Sequence, residues 1–159
     1  MQVFFAFADI KQSLQCLDRH RLGKQRVEAK QILNILYGRT TSNAWANHPA
    51  VRMFEGYGDF LNLYFNECCF EWTKRGYVNN MEKEFYHNVL IIEKPVWFGD
   101  YEFHLSHRSN LLRKAIDDSN GIGAGGKPKK KSTELLDRLE RHGIIIGQTP
   151  SDLPYIWPS

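Results

Sequence analysis

Asp18, Arg19, His20, Arg21, Lys24, Arg26 and Glu28 crowd into one short stretch, LDRHRLGKQRVEAKQIL at residues 17–33. On a helix advancing about 100° per residue, Leu14, Leu22, Ala29, Ile32, Leu33 and Leu36 form an apolar stripe. Arg21, Lys24 and Glu28 then gather at its edge. A carboxylate so placed sits where apolar surface meets basic surface, partly desolvated yet near cations. The same spacing is also that of a surface ion-pair net. Asp18 and Gln25 fall inside the stripe, where polar groups must find partners or destabilise the fold.

Positive charge is concentrated rather than abundant. The chain of 159 residues carries a net charge of +3. Residues 11–30 contribute a local balance of +4 and residues 103–131 one of +5, whereas residues 46–102 hold −4. Such clustering is how a protein collects polyanions. His48 before Pro49 is either a helix cap or a site residue, with Arg52 one turn on to join it at a phosphate. His104, His107 and Arg108 share one helix and read as a basic face, with Lys114 beyond them. Lys129, Lys130 and Lys131 add sequence-independent attraction for a polyanion. Trp45, Trp97 and Trp157 read as core or tail anchors ahead of base-stacking platforms. Cys16, Cys68 and Cys69 suit a reducing compartment as core residues, and no metal-ligand spacing appears, so no metal is expected.

The elements that must position these residues are helical. VFFAFA at residues 3–8 has no evident strand to pair with and is expected as an extended strip buried against helices. Asp9 can cap a helix running through residues 10–37, with Gly23 as a possible bend. A long apolar face over residues 49–74 is interrupted by Gly56 and Gly58. Asn80 is expected to open a helix carrying Phe85, Val89 and Ile92 up to Pro95, and residues 100–116 to form another. SNGIGAGGKPKKKS, residues 119–132, reads as a flexible basic loop, since the lysine and hydroxyl of a phosphate loop are missing at their spacing. A short helix precedes the proline-rich tail, where Tyr155, Ile156 and Trp157 dock. The whole is one all-α domain spanning residues 1–159, a compact helical bundle with an extended N-terminal strip and a Pro-rich tail.

Leu17, Asp18, Arg19, Leu22, Arg26 and Glu28, in the pattern L-D-R-x-x-L-x-x-x-R-x-E, resemble the first-helix motif of the pyrimidine dimer DNA glycosylase family. HPAVRMFEG at 48–56, SHRSNLLRK at 106–114 and DLPYIWP at 152–158 are similar to segments of small bacterial and phage proteins grouped with that family. The resemblance implies a compact all-α enzyme that cleaves the glycosidic bond of a damaged pyrimidine. The chain's own α-amine would form a Schiff base with the sugar C1′, assisted by a glutamate on the first long helix. Glu28 matches that glutamate, and His20 and Arg26 occupy places similar to the family's DNA-contacting histidine and arginine. Gln2 is too large for initiator removal to be expected, so the amine would be that of Met1. An α-amine is intrinsically less basic than a lysine amine, and more of it is therefore the free nucleophile near neutral pH.

The expectation is thus a DNA glycosylase, with or without abasic-site lyase activity. Met1 and Glu28 are the catalytic pair, and His20, Arg21, Lys24, Arg26, His48, Arg52, His107, Arg108 and Lys114 contact DNA. DNA is the expected partner, with no cofactor, metal or membrane, in a bacterial or phage-infected cytosol. A DNA-binding protein without catalysis, or an enzyme handling a hypermodified base or nucleotide, remain open on the same residues.

Overall fold

The computed structural model describes residues 1–87 and 90–158. Among the described residues the regular structure is six α-helices, α1 (Ile10–Gln15), α2 (Arg19–Leu36), α3 (Pro49–Arg52), α4 (Gly58–Lys74), α5 (Tyr101–Asn120) and α6 (Glu134–Arg141), and one 3-10 turn (Ala124–Gly126). Among the described residues there is no strand, only two isolated bridges, Ile122 to Pro128 and Ile146 to Thr149. The fold is all-α.

The helix expected over residues 10–37 is two helices. Asp9 caps α1 by accepting from the Gln12 N–H at 2.8 Å. The chain then leaves the helix, and Asp18, with φ −66° and ψ 168°, stands as the N-cap of α2. Asp18 counted as a polar intruder on a continuous stripe is in fact a terminator, and its carboxylate accepts from Arg21 at 3.1 Å. α2 runs unbroken through Gly23. A Cβ there would meet the Trp72 ring at 3.1 Å, so glycine lets α4's indole lie against the helix.

The apolar face of residues 49–74 divides into α3 and α4 around Gly56, whose φ of +80° turns the chain. Pairing of α2 with α4 forms the middle of the fold. Phe5 sits at its aromatic centre, with its ring centroid 4.6 Å from Tyr64, 5.4 Å from Trp97 and 6.2 Å from Phe54. Full burial of one such ring contributes roughly 1.5–3 kcal/mol. Cys68 and Cys69 are buried on α4 as free thiols.

The helix expected from Asn80 to Pro95 is absent over the described residues, and Val89 lies outside them. Side chains grip this backbone from α4 instead. Asn66 donates to the Glu84 carbonyl at 3.0 Å and accepts from its N–H at 3.1 Å, and Asn62 donates to the Phe85 carbonyl at 3.1 Å. Glu84, buried, accepts from Lys30 and Arg39. Phe85 points outward, 85% exposed, where a core-facing helix would have buried it.

Candidate functional site

Residues 2–6 run extended through the protein with side chains in place of a neighbouring strand. The Phe4 N–H donates to Gln25 Oε1 at 3.2 Å, and Gln25 Nε2 donates to the Gln2 carbonyl at 2.8 Å. Tyr64 of α4 donates its hydroxyl to the same Gln25 Oε1 at 2.6 Å. From α5, His107 Nδ1 accepts from the Phe5 N–H at 2.9 Å, while His104 Nδ1 donates to the Phe5 carbonyl at 2.7 Å. Arg108 donates to the Ala6 carbonyl at 2.7 Å, and the Tyr155 hydroxyl donates to the Val3 carbonyl. A buried backbone must have its polar groups satisfied, and here α2, α4, α5 and the tail share that task. Gln25, a polar residue on an apolar stripe, is explained by this work.

The strip delivers the chain's start to Glu28. Glu28 is 6% exposed, and its Oε2 accepts from the Gln2 N–H and from Gln25 Nε2, both at 3.3 Å. Lys24 Nζ lies 3.5 Å from Glu28 Oε1 on the solvent side. Standard backbone dimensions then put the Met1 amine within about 7 Å of the carboxylate. Burial lowers the His48 pKa first, and the Met1 amine lowers it further while Glu28 raises it, so imidazole, amine and carboxylate lie within electrostatic reach of one another. His48 also performs its capping role, its Nδ1 accepting from the Ala50 N–H at 3.0 Å.

Beside Glu28 opens a cavity of about 630 Å³, bordered by His20, Arg21, Lys24, Lys114 and Lys129–Lys131 in excess over the carboxylates of Asp18, Asp118 and Glu134. Arg21 is anchored there between Asp18 and Asp118, with 2.6 Å to the latter. Burial lowers the Lys114 pKa, and Arg21, Arg113 and Lys24 lower it further. The lysine-rich loop folds back over this cavity: Gly121, with φ +73°, caps α5, the Lys129 N–H donates to the Gly121 carbonyl at 2.9 Å, and Lys129 pairs with Asp118. Asp118 is lowered, against its burial, by Arg21 and Lys129.

A family model for pyrimidine dimer DNA glycosylases matches residues 1–85. The chain belongs to the pyrimidine dimer DNA glycosylase family. No curated protein and no solved structure is significantly similar to it. The glycosylase-family segment holds the strip and α1 to α4, with Met1, Gln25, Glu28 and His48; α5, the lysine loop and the tail lie beyond it. No helix among the described residues is long and apolar enough to cross a membrane.

The sequence-expected residues separate into groups. Met1, Glu28, His48, His20, Arg21, Lys24 and Lys114 come together around or beside the carboxylate. Arg52 is exposed at the end of α3 and donates to Asn47 Oδ1 at 3.1 Å. Three residues expected to contact DNA make contacts within the fold. His107 has no exposed surface at all, so no phosphate can reach it. Arg108 is engaged by Ala6 and lies over the Phe7 and Tyr101 rings. Arg26 is folded onto Trp72 at 4.1 Å and donates to Asn79 Oδ1 at 2.6 Å. Tyr64, Asn110 and Tyr155 were not anticipated as positioning residues. Asn110 accepts from the Gln2 amide at 3.2 Å, and its place three residues after His107 on α5 was the available signal.

Proposed function

We propose that this chain is a DNA glycosylase that releases a damaged or modified pyrimidine through a Schiff base on the Met1 amine. The observation that carries the reading is the clamp from Gln25, Tyr64, His107 and Tyr155. It sets the chain's first residue beside a buried glutamate at the edge of a lysine-lined cavity.

Met1 attacks C1′ as the free amine, and the C1′–N bond breaks with its electron pair leaving on the base, which takes up a proton. The amine gives up a proton and the sugar ring opens, leaving a protonated imine between Met1 and C1′. Glu28 faces the positive charge that gathers on C1′ and the ring oxygen, and is placed to pass protons between amine and sugar. The Gln2 N–H and Gln25 Nε2 hold its Oε2 in position. Lys24, Lys114, Lys130 and Lys131 take the flanking phosphates by charge, while Arg21 and Lys129 are held beside them by Asp18 and Asp118. Water returns the imine to amine and aldehyde; alternatively, loss of a C2′ proton expels the 3′ phosphate, which is the lyase step.

Borohydride reduction in the presence of an abasic duplex tests the reading, because it converts the imine into a permanent crosslink. Wild-type protein is expected to crosslink, and protein with a chemically blocked amine is not. Glu28→Gln keeps an acceptor for Gln2 and Gln25 and is expected to retain DNA affinity while losing base release. No crosslink and no released base from the wild type would overturn the proposal. Salt-dependent binding by the wild type with no product at any lesion, and left unchanged by Glu28→Gln, would instead identify a DNA-binding protein.

A further inference from the structure

Glu28 borders two recesses of opposite chemistry. The larger is the cationic cavity already described. The smaller, about 320 Å³, is lined by Met1, Glu28, Gln31, Asn34, Thr40, Ser42 and Trp45, with Ile35 and without any lysine or arginine. The change of character follows α2 itself. Arg21 and Lys24 precede Glu28 on the helix, whereas Gln31, Asn34 and Ile35 follow it at spacings of three, six and seven residues. Those spacings keep them on neighbouring faces. Opposite stands the loop between α2 and α3. Trp45 there is 51% exposed, with the His48 ring tilted against it at a centroid distance of 5.4 Å.

A nucleotide has the same two-sided chemistry, with anionic phosphates at one end and a flat, uncharged ring with a hydrogen-bonding edge at the other. We infer that the smaller recess seats the base to be excised, swung out of the helix, with one face against Trp45 and its edge at the Gln31 and Asn34 amides. This inference rests on the glycosylase reading. Because Met1 and Glu28 line the recess, a sugar whose C1′ lies between them places its base there and its phosphates toward Lys24 and the loop lysines. Each amide offers both a donor and an acceptor, which suits the mixed edge of a pyrimidine. An aromatic face stacks on any base. The volume is near the lower end for ligand cavities, which fits a single base better than a covalently joined pair with both its sugars. Trp45, the tryptophan least used by the core, thus becomes a substrate-contacting residue.

The test separates steps that need a base from one that does not. Two duplexes are used, one carrying a single 5-fluorouracil, whose electron-withdrawing substituent makes it a good leaving group, and one carrying an abasic site. Wild-type protein and Trp45→Ala, Asn34→Ala and Trp45→Phe are assayed for base release on the first and borohydride crosslinking on the second. Trp45→Ala and Asn34→Ala are expected to slow base release roughly 10- to 100-fold, with abasic crosslinking within about twofold of wild type and Trp45→Phe recovering most of the loss. Equal loss of both reactions in Trp45→Ala, or base release at the wild-type rate, would overturn the seat while leaving the amine chemistry intact. Wild-type crosslinking without release of 5-fluorouracil would also overturn it. Absence of crosslinking by the wild type would instead refute the glycosylase reading on which it rests.

Discussion

Replacing His107 by asparagine should make the fold less sensitive to acid. His107 is wholly buried, and burial, with His104 beside it, pushes its imidazole from 6.5 down to about 3. A histidine whose folded-state pKa is depressed stays neutral while the unfolded chain takes up the proton. Stability is therefore complete above about pH 6.5 and falls as the pH drops toward 3. At about 1.36 kcal/mol per pKa unit, acidification from pH 7.5 to 4.5 removes about 2.5 kcal/mol through this one ring. That window lies above the titration of Glu84 and Asp118, both lowered despite burial, by Arg39 and Lys30 in the first case and Arg21 and Lys129 in the second. Asparagine can keep an acceptor where Nδ1 receives the Phe5 N–H, but cannot titrate. Urea unfolding followed by tryptophan fluorescence across this pH range is the assay. The variant is expected to be about 2 kcal/mol less stable at pH 7.5, for the lost ring volume. Its further loss on acidification should be smaller than that of the wild type by about 2.5 kcal/mol. Because His48, His104 and His142 are present in both proteins, equal acid losses would refute the assignment.

Other perturbations test other parts of the arrangement. Tyr155→Phe removes the donor to the Val3 carbonyl; it should cost about 1–2 kcal/mol and accelerate amide hydrogen exchange at Val3, Phe4 and Phe5. Gly23→Leu drives a side chain into Trp72, whose ring carbons lie 3.1 and 3.2 Å from the Cβ position. A loss of about 1–3 kcal/mol by urea unfolding is expected, and a neutral result would show that α4 does not need this close approach. Alanine at Lys129, Lys130 and Lys131 together should reduce the slope of log affinity against log salt by about 2 to 3 on duplex DNA, while borohydride crosslinking at low salt persists.

Much of this was legible before the structure. The strip expected over residues 3–8 is buried at residues 3–6, which are apolar and have no partner strand, while Ala8 is exposed. Asp9 and His48 were readable as caps from their place before Ile10 and Pro49. What stayed hidden depends on contacts between distant residues. Asp18 looks like a stripe residue until the break at Cys16 and Leu17 makes it a cap. His104 and His107 look like a basic face, since nothing local reveals that the Phe5 backbone requires an acceptor and a donor three residues apart on α5. The segment after Asn80 has enough apolar residues for a helix, yet Asn62 and Asn66 on α4 capture its backbone groups first. Arg26, one residue out of step with the family's arginine, turns to Trp72, a residue no helix periodicity could have assigned to it.

In a β-sheet the ladder belongs to the main chain and outlasts nearly any amino-acid replacement. Along residues 2–6 the rungs are Gln25, Tyr64, His104, His107, Arg108 and Tyr155, so a single codon change can delete one. The address of the first residue is therefore written piecemeal across the gene, and each piece is separately open to drift and to selection.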